Sequence, residues 1–548
     1  MIPRECKRLI EVDFPIARVS VHAAREKSIR HGHPSTLHLW WARRPLAACR
    51  AVLMGLLLPD PGDPLCPSEF KEQARKLLVQ VPGSPKGFAS KPADKKGSVD
   101  DYLRKALLDF IADFANWDNS ANELYLYTAR GLIKAAHPEE TPLVVDPFAG
   151  GGSIPLEALR LGCNAFASDL NPVACLILKV MLEDIPRHGA ALAKELRQVG
   201  AEIKAAAEQE LAPFYPSDPD GARPIAYIWA RTVQCEAPLC GAEIPLTRNF
   251  WLCKKASRKK ALRYQVVKAD KGPPQVVFDL FEPEADKEVP AATVAKAKAK
   301  CLDCPGRLSP ERLRAQLAAQ RGGADVIFDE QGRRKGGARL LAVVTITPGQ
   351  PGRSYRLPTE QDYHAVFRAM QALKEKAAQP LASGLSAIPD ESTPAGGGSG
   401  AGRAFSIQRY GMFQWGDLFT ARQKLALVTF VDKINSLTTI SDAIKNLLVI
   451  AVGRLADATA SLTQWLPSGE EVKHVFSRQA LPIVWDFGET NPISEVSRSW
   501  KSAINAIVNV ISSVSSAGMT IGQVHQADAC QSPLPNQAGG VYFTDPPL

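Results

Sequence analysis

The spacing of hydrophobic residues changes along the chain and predicts two kinds of structure. Residues 100–135 place apolar side chains three or four positions apart, as in Leu103 and Leu107, which is typical of amphipathic helices. From residue 142, two short apolar runs, 143–145 and 165–167, are separated by a glycine-rich turn and a helical stretch. Strands that alternate with helices in this way predict a parallel sheet in an α/β domain.

Residues that begin helices mark the same α/β unit. Ser153 is placed to cap its first helix, and Pro172 begins the second. Much further along the chain, residues 519–524 and 540–543 have the pattern of two more strands. The sequence therefore predicts that a long stretch of other structure separates two parts of one sheet.

Composition limits the class of protein more than it limits the fold. The chain of 548 residues is 45% hydrophobic and 22% charged, which is ordinary for a globular protein. Lys and Arg total 66 against 57 Asp and Glu, a formal charge of +9. That excess fits a nucleic-acid partner, and it fits a slightly basic soluble protein equally well.

Cysteine usage and hydropathy indicate a cytoplasmic protein that has no membrane partner. The 11 cysteines are odd in number and the first residues do not form a signal peptide. Reduced thiols or metal ligands are therefore favoured over disulfides. The longest apolar stretch, residues 46–58, is interrupted by Arg50 and is too short to cross a bilayer.

The glycine-rich turn is the strongest local motif. It comprises Asp146, Pro147, Phe148, Ala149, Gly150, Gly151, Gly152 and Ser153. Its glycines let backbone amides approach a ligand closely. Asp169, next to the second strand, can accept hydrogen bonds from both ribose hydroxyls of a bound cofactor. The alternative is a tight turn that binds no ligand.

The second motif is Asp545-Pro546-Pro547-Leu548, which resembles the Asp-Pro-Pro-Tyr signature of amino-methyltransferases. An exocyclic amine is a poor nucleophile because its lone pair is delocalised into the ring. Asp545 and a carbonyl of the proline pair can accept hydrogen bonds from that amine and return electron density to its nitrogen. The aromatic residue of the signature stacks on the flipped base, and here Leu548 stands in its place. Taken alone, Asp-Pro-Pro is more often an ordinary loop.

Two further groups are candidates for the same site. Asp528 follows the third predicted strand, where many methyltransferases place an acidic contact to the cofactor adenine; a solvated loop aspartate is the alternative. Residues 40–45 have the sequence Trp-Trp-Ala-Arg-Arg-Pro, which puts two aromatic rings beside two cations. These side chains either line a cofactor or DNA face or belong to a packed amphipathic helix with surface arginines.

Two close pairs of cysteines predict a structural zinc site. Cys235 and Cys240 form the first pair, and Cys301 and Cys304 form the second. Four thiolates from two such pairs are what a closed tetrahedral zinc site needs. The long interval between the pairs requires an inserted loop, and Cys253 within it is an alternative ligand. Unrelated reduced thiols are the other interpretation.

Several motifs together resemble the large adenine-specific DNA methylases that contain a zinc ribbon. They are residues 33–47, 146–153, 240–246, 408–411, 415–420 and 484–487. They run from residue 33 towards the end of the chain, so the resemblance covers nearly all of it, and it is specific in combination.

The resemblance implies a Rossmann-like methyltransferase sheet, with S-adenosylmethionine at the glycine-rich turn and amine methylation at Asp-Pro-Pro. DNA is the implied partner, with adenine N6 preferred over cytosine N4. A prokaryotic source and a role in restriction-modification or phage defence, with a defence-system partner, are also implied. A non-catalytic remnant that binds nucleic acid or a partner chain, and an RNA guanine-N2 methyltransferase, remain alternatives.

Two departures from the family pattern lead to an expectation about activity. Leu548 replaces the aromatic residue, and members of the family continue beyond this point, so strands after the fourth are absent. We expect a truncated or split gene product that has little activity alone and depends on a complementing C-terminal fragment.

The complete expectation is an α/β fold in which a methyltransferase sheet, lacking its C-terminal strands, carries a large mostly helical insertion and a zinc-ribbon module. The predicted segments are an N-terminal helical segment at 1–60, a loop or insertion at 61–98, the cofactor-binding part at 99–184, a helical insertion at 185–225, the zinc-ribbon module at 226–310, an α/β insertion at 311–379, a flexible linker at 380–403, a mostly helical region at 404–515 and a return to the sheet at 516–548.

Overall fold

The computed structural model describes most of the chain and divides it into two compact units. The described residues are 2–82, 98–268, 272–379, 381, 384–397, 402, 404–477, 479–531, 533–535, 538 and 540–546. The first unit comprises Met1–Arg197, Ser441–Ile450 and Asn505–Leu548, and the second comprises Gln198–Ile440 and Ala451–Ile504. Both units are therefore discontinuous in sequence.

Helices and strands alternate irregularly along the chain. The helices are α1 Leu9–Val12, α2 Ile16–Glu26, α3 Leu46–Leu57, α4 Ser68–Leu78, α5 Val99–Phe114, α6 Glu123–Ala136, α7 Ser153–Arg160, α8 Pro172–Lys179, α9 Ile185–His188, α10 Ala190–Leu211, α11 Pro310–Ala319, α12 Glu360–Ala377, α13 Ala421–Asn435, α14 Asp442–Thr459 and α15 Trp500–Ser515. The strands are β1 Leu143–Asp146, β2 Asn164–Asp169, β3 Arg223–Ala230, β4 Thr232–Gln234, β5 Glu243–Pro245, β6 Trp251–Lys255, β7 Arg258–Val267, β8 Gln275–Phe281, β9 Val294–Ala295, β10 Lys298–Lys300, β11 Arg307–Leu308, β12 Val326–Phe328, β13 Arg334–Gly337, β14 Arg339–Ile346, β15 Ser354–Arg356, β16 Trp465–Leu466, β17 Glu471–Val472, β18 Asp486–Thr490, β19 Gln523–Gln526 and β20 Val541–Tyr542.

The first unit contains a four-stranded parallel sheet in the order β19-β2-β1-β20. The apolar residues that predicted β1 and β2 pair in register, with Val145 opposite Phe166. All four strands run in the same direction, so their carboxyl ends lie along one edge of the sheet. The whole of the second unit is inserted in sequence between β2 and β19. The predicted mixed α/β class is thus confirmed, with several smaller sheets besides this one.

Three elements differ from the sequence predictions. Ser153 does not cap α7: Gly152 does, with φ of +77°, and Ser153 is the first helical residue. The strand predicted at 519–524 occupies Gln523–Gln526 instead. The region predicted as mostly helical at 404–515 contains three strands, of which Asp486–Thr490 pairs with β3.

A buried ion cluster joins α3 to α7 in the first unit. Glu157 on α7 lies 3.2 Å from Arg50 on α3 and 3.0 Å from Arg160 on its own helix, measured from carboxylate oxygen to guanidinium Nε. All three side chains are at most 1% exposed. Since an unpaired charge in such a place is costly, this carboxylate fixes how the two helices pack.

The second unit is built around an antiparallel sheet in the order β15-β14-β3-β18, with a separate three-stranded sheet β6-β7-β8. Its core also holds a buried ion pair, in which Glu489 binds Arg422 at 2.8 Å and accepts a hydrogen bond from the Trp229 indole at 2.7 Å. In the part of the chain that the structure describes, no helix combines the length and the apolar character needed to cross a membrane.

We predict that Glu157→Gln lowers the free energy of unfolding of the first unit by about 3–5 kcal/mol, because it removes the carboxylate that lies against two buried guanidinium groups. Urea unfolding followed by circular dichroism measures the change. The matched control is Glu72→Gln, which removes an exposed carboxylate paired with Lys76 on α4 and should leave the transition unchanged. Equal midpoints for Glu157→Gln and the wild type would contradict the assigned role.

Candidate functional site

Each strand of the parallel sheet is followed by an aspartate at its carboxyl end. Asp146 ends β1 and Asp169 ends β2, whereas Asp528 lies just beyond β19 and Asp545 just beyond β20. Clefts at the carboxyl edge of an open parallel sheet are where such folds bind ligands. The topology thus brings all four predicted acidic residues to the same edge.

The carboxylate of Asp169 holds the glycine-rich turn in place. Its Oδ2 accepts the Gly150 N–H at 2.8 Å, and its Oδ1 accepts the Asn171 N–H at 2.8 Å. Gly150 has φ of +47° and Gly152 has φ of +77°, a conformation that favours glycine. Since a carboxylate offers about four lone-pair sites, Asp169 still has acceptor capacity for hydroxyl groups of a ligand.

Asp146 links the glycine-rich turn to the Asp-Pro-Pro motif. Only 2% exposed, it accepts the Phe148 N–H at 3.1 Å and the Thr544 hydroxyl at 2.8 Å. Next to it, the Phe543 N–H donates to the Val145 carbonyl at 3.1 Å. Burial raises the pKa of Asp146 to about 6, and the neighbouring charges of Asp169 and Asp545 act in the same direction. Such raised values are frequent at functional sites.

Residues 40–45, which we name the Trp-Arg segment, contact both motifs. A Cβ added at Gly150 would lie 2.8 Å from Trp40 Nε1, so the indole packs directly on the turn. The Arg44 carbonyl accepts the Ser153 hydroxyl at 2.7 Å, and the Arg44 guanidinium forms an ion pair with Asp545. The segment is a turn followed by extended chain before α3, so the alternative of an amphipathic helix here is wrong.

Within this segment, Arg43 is buried in an unusual way. The residue is half-buried overall, but all three guanidinium nitrogens are inaccessible to solvent and have no hydrogen-bond partner among the described residues. A Cβ added at Gly151 would lie 3.0 Å from its Nε. Burial lowers the pKa of Arg43 to about 10. The sequence pattern indicates both Arg43 and Arg44 as candidates, but it does not show that one is buried and the other exposed.

The remaining predicted residues are more peripheral. Asp528 is exposed and its carboxylate accepts the Cys530 N–H at 2.9 Å, so its proposed contact to a cofactor stays a prediction. Phe148 is 39% exposed on the turn, and Pro546 is exposed beside Asp545. Pro547 and Leu548 lie outside the described residues.

The four predicted cysteines come together in the second unit. Their sulfur atoms all lie within 4.8 Å of one another. Cys235 Sγ is 3.6 Å from Cys304 Sγ, and Cys240 Sγ is 3.7 Å from Cys301 Sγ, so neither pair is a disulfide. Four sulfurs bound tetrahedrally at 2.3 Å around zinc would be about 3.8 Å apart. The cluster has the composition and spacing to hold a metal ion.

Two tight turns present these thiols. The first, between β4 and β5, is closed by the Cys235 N–H, which donates to the Ala242 carbonyl at 2.9 Å. In the second, between β10 and β11, the Asp303 and Gly306 N–H groups each point at a cysteine sulfur at 3.4 Å. Cys253 is on β6, where its thiol donates to the Arg258 carbonyl at 3.2 Å, so it is not part of the cluster.

Comparison with known proteins gives one partial match. Residues 13–79 match a family described as "Protein of unknown function (DUF1156)". That stretch includes the Trp-Arg segment and helices α2 to α4, but its description assigns no activity. No curated protein and no solved structure matches the chain.

We predict that Asp146→Asn stabilises the protein at neutral pH. Because the pKa of Asp146 is about 6 when folded and 3.8 for an ordinary aspartate, the unfavourable charge appears as the pH rises from about 4 to about 6. The asparagine variant should gain about 2–3 kcal/mol above pH 6 and nothing below pH 4. Urea unfolding of both proteins across this range measures the difference, and a variant less stable than wild type at pH 7 would contradict it.

Proposed function

We propose that the protein is an S-adenosylmethionine-dependent methyltransferase that acts on an exocyclic amine of a DNA base, with adenine N6 preferred over cytosine N4. The observation that carries this proposal is the attachment of the Asp-Pro-Pro motif to the first strand, through the hydrogen bonds from Thr544 to Asp146 and from Phe543 to Val145. The attachment supports the proposal because the Asp-Pro-Pro motif, the candidate acceptor for an amine, lies beside the glycine-rich turn, the candidate nucleotide site. The strand order and the aspartate after each strand are those expected of a Rossmann-like methyltransferase sheet.

The residues at this edge fit the cofactor. Asp169 keeps acceptor capacity for ribose hydroxyls, and side chains pack within 3.0 Å of where a Cβ would lie at each of the three glycines of the turn. The Arg43 guanidinium has no hydrogen-bond partner in the described part of the chain. When bound, S-adenosylmethionine supplies an electrophilic methyl group. Asp169 and the amides of the turn would bind and orient the nucleoside part, and Asp528 is the candidate for the adenine.

Asp545 has the chemistry needed to act on the amine that would receive the methyl group. Its carboxylate, 39% exposed, can accept a hydrogen bond from the amine of a flipped base and so localise the nitrogen lone pair. The carbonyl of Pro546 would accept another. Arg44 forms an ion pair with Asp545, but exposed ion pairs of this kind contribute little and can give way to another hydrogen-bond partner.

The cysteine cluster is proposed to hold a structural zinc ion. Cys235, Cys240, Cys301 and Cys304 supply all four ligands, so the coordination is closed and no position is left for a substrate. The Asp303 and Gly306 N–H groups point at cysteine sulfurs, and hydrogen bonds of this kind stabilise metal-bound thiolates. The role of the cluster is therefore to hold two turns of the second unit together. The net charge of +9 is compatible with DNA as the partner but does not by itself select it.

We predict one zinc ion per chain, lost in Cys301→Ser. Because metal binding and local folding are coupled, that variant should also melt at a lower temperature. Cys253→Ser is the matched control: it removes a buried thiol from the same unit but outside the cluster, and it should keep the metal. Elemental analysis of protein purified without chelator measures the ratio, and wild-type protein without zinc would contradict the proposal.

We predict that Asp169→Ala weakens binding of S-adenosylhomocysteine by about 1.5–3 kcal/mol, since a charge-assisted contact is lost. Asp545→Ala should leave that affinity unchanged, because its carboxylate acts on the amine and not on the cofactor. Calorimetry measures both values. Equal affinities for wild type and Asp169→Ala would show that Asp169 does not bind the ribose.

We predict that the same Asp545→Ala change lowers base methylation about 100-fold or more, the usual loss when a group that stabilises the transition state is removed. Mass spectrometry of nucleosides from cells that express the natural locus, wild type or variant, measures N6-methyladenine and N4-methylcytosine in DNA. Methylated guanine in RNA, without methylated DNA bases, would contradict the choice of substrate.

A further inference from the structure

The proposed reaction makes no use of the buried guanidinium of Arg43. Its three nitrogens are buried and have no hydrogen-bond partner among the described residues. The three acidic groups described above are engaged elsewhere: Asp169 with backbone amides, Asp545 with Arg44, and Glu157 with Arg50 and Arg160. An uncompensated buried cation destabilises the folded state by several kcal/mol. Its presence beside a candidate binding site therefore indicates a functional role.

Position limits what this cation can bind. Arg43 packs on Gly151, while the preceding residue of the turn, Gly150, is hydrogen-bonded to Asp169, the candidate ribose ligand. Two adjacent residues of the turn thus contact a cation and an acid that can accept hydrogen bonds from hydroxyl groups. A guanidinium matches a carboxylate with two parallel hydrogen bonds. A DNA phosphate is a poorer candidate, because a polymer backbone does not reach a guanidinium whose three nitrogens are all buried.

We propose that Arg43 binds the carboxylate of the amino-acid part of the cofactor. This inference rests on the proposed function, since it assigns one more residue to the same cofactor site. The segment before α3 is not helical, and an arginine side chain has several rotatable bonds, so the guanidinium can turn to a ligand while α3 stays in place. The two arginines of the Trp-Arg segment then have separate roles: Arg43 binds the cofactor and Arg44 pairs with Asp545.

The test compares two ligands that differ only in the carboxylate. S-adenosylhomocysteine carries it, and 5′-(3-aminopropylthio)-5′-deoxyadenosine lacks it. In calorimetry, the wild-type chain should bind the first about 10–100-fold more tightly than the second, as expected for a charged hydrogen-bonded pair. Arg43→Met should weaken binding of S-adenosylhomocysteine by that factor and change binding of the decarboxylated ligand less than about threefold. Arg187→Met, which removes an exposed arginine from α9, should behave as wild type.

Thermal unfolding gives a second readout. Removing an unpaired buried charge is neutral or stabilising, so ligand-free Arg43→Met should melt at or above the wild-type temperature. An arginine with a purely structural role would give a lower melting temperature instead, and that result would overturn the assignment.

The outcomes separate this inference from the proposed function. If the wild-type chain binds both ligands equally, or if Arg43→Met weakens both equally, the carboxylate assignment is wrong and the cofactor site stands. If the wild-type chain binds neither ligand, the proposed function fails and Arg43 loses its role with it. The comparison of two ligands on wild-type protein decides the question even if the variant does not fold.

Discussion

The ion pair between Arg50 on α3 and Glu157 on α7 determines where the parts of the candidate site lie. Each residue is four positions after the first residue of its helix, which is about one turn. The ion pair therefore aligns the two helix beginnings, and one turn above it the Ser153 hydroxyl reaches the Arg44 carbonyl. The Trp-Arg segment precedes one helix and the glycine-rich turn precedes the other, so the same buried contact brings both to one place.

The pairing of strands in the parallel sheet brings the Asp-Pro-Pro motif to the candidate site. Thr544 and Asp146 are 398 residues apart in sequence, yet they are hydrogen-bonded because β20 pairs with β1. The second unit lies in sequence between β2 and β19, so strands that are neighbours in the sheet are far apart in the chain. The four-cysteine cluster belongs to that inserted unit and needs no residue from the sheet.

Local motifs were predictable from the sequence, and contacts between distant residues were not. The glycine-rich turn, Asp169 and the two cysteine pairs were found because their chemistry depends on short spacings. Ser153 was wrongly predicted as a helix cap because its true partner, the Arg44 carbonyl, is 109 residues away. The strand at Asp486–Thr490 was missed because its polar Glu489 suggests an exposed position, whereas Arg422, far away in sequence, neutralises it in the core.

Arg44 takes part in two attachments at once. Its backbone carbonyl holds the start of α7, directly after the glycine-rich turn, and its side chain holds Asp545. A shift of this one residue would therefore affect both the glycine-rich turn and the Asp545 carboxylate. The backbone and the side chain of one exposed arginine thus connect two motifs that lie about 400 residues apart in sequence.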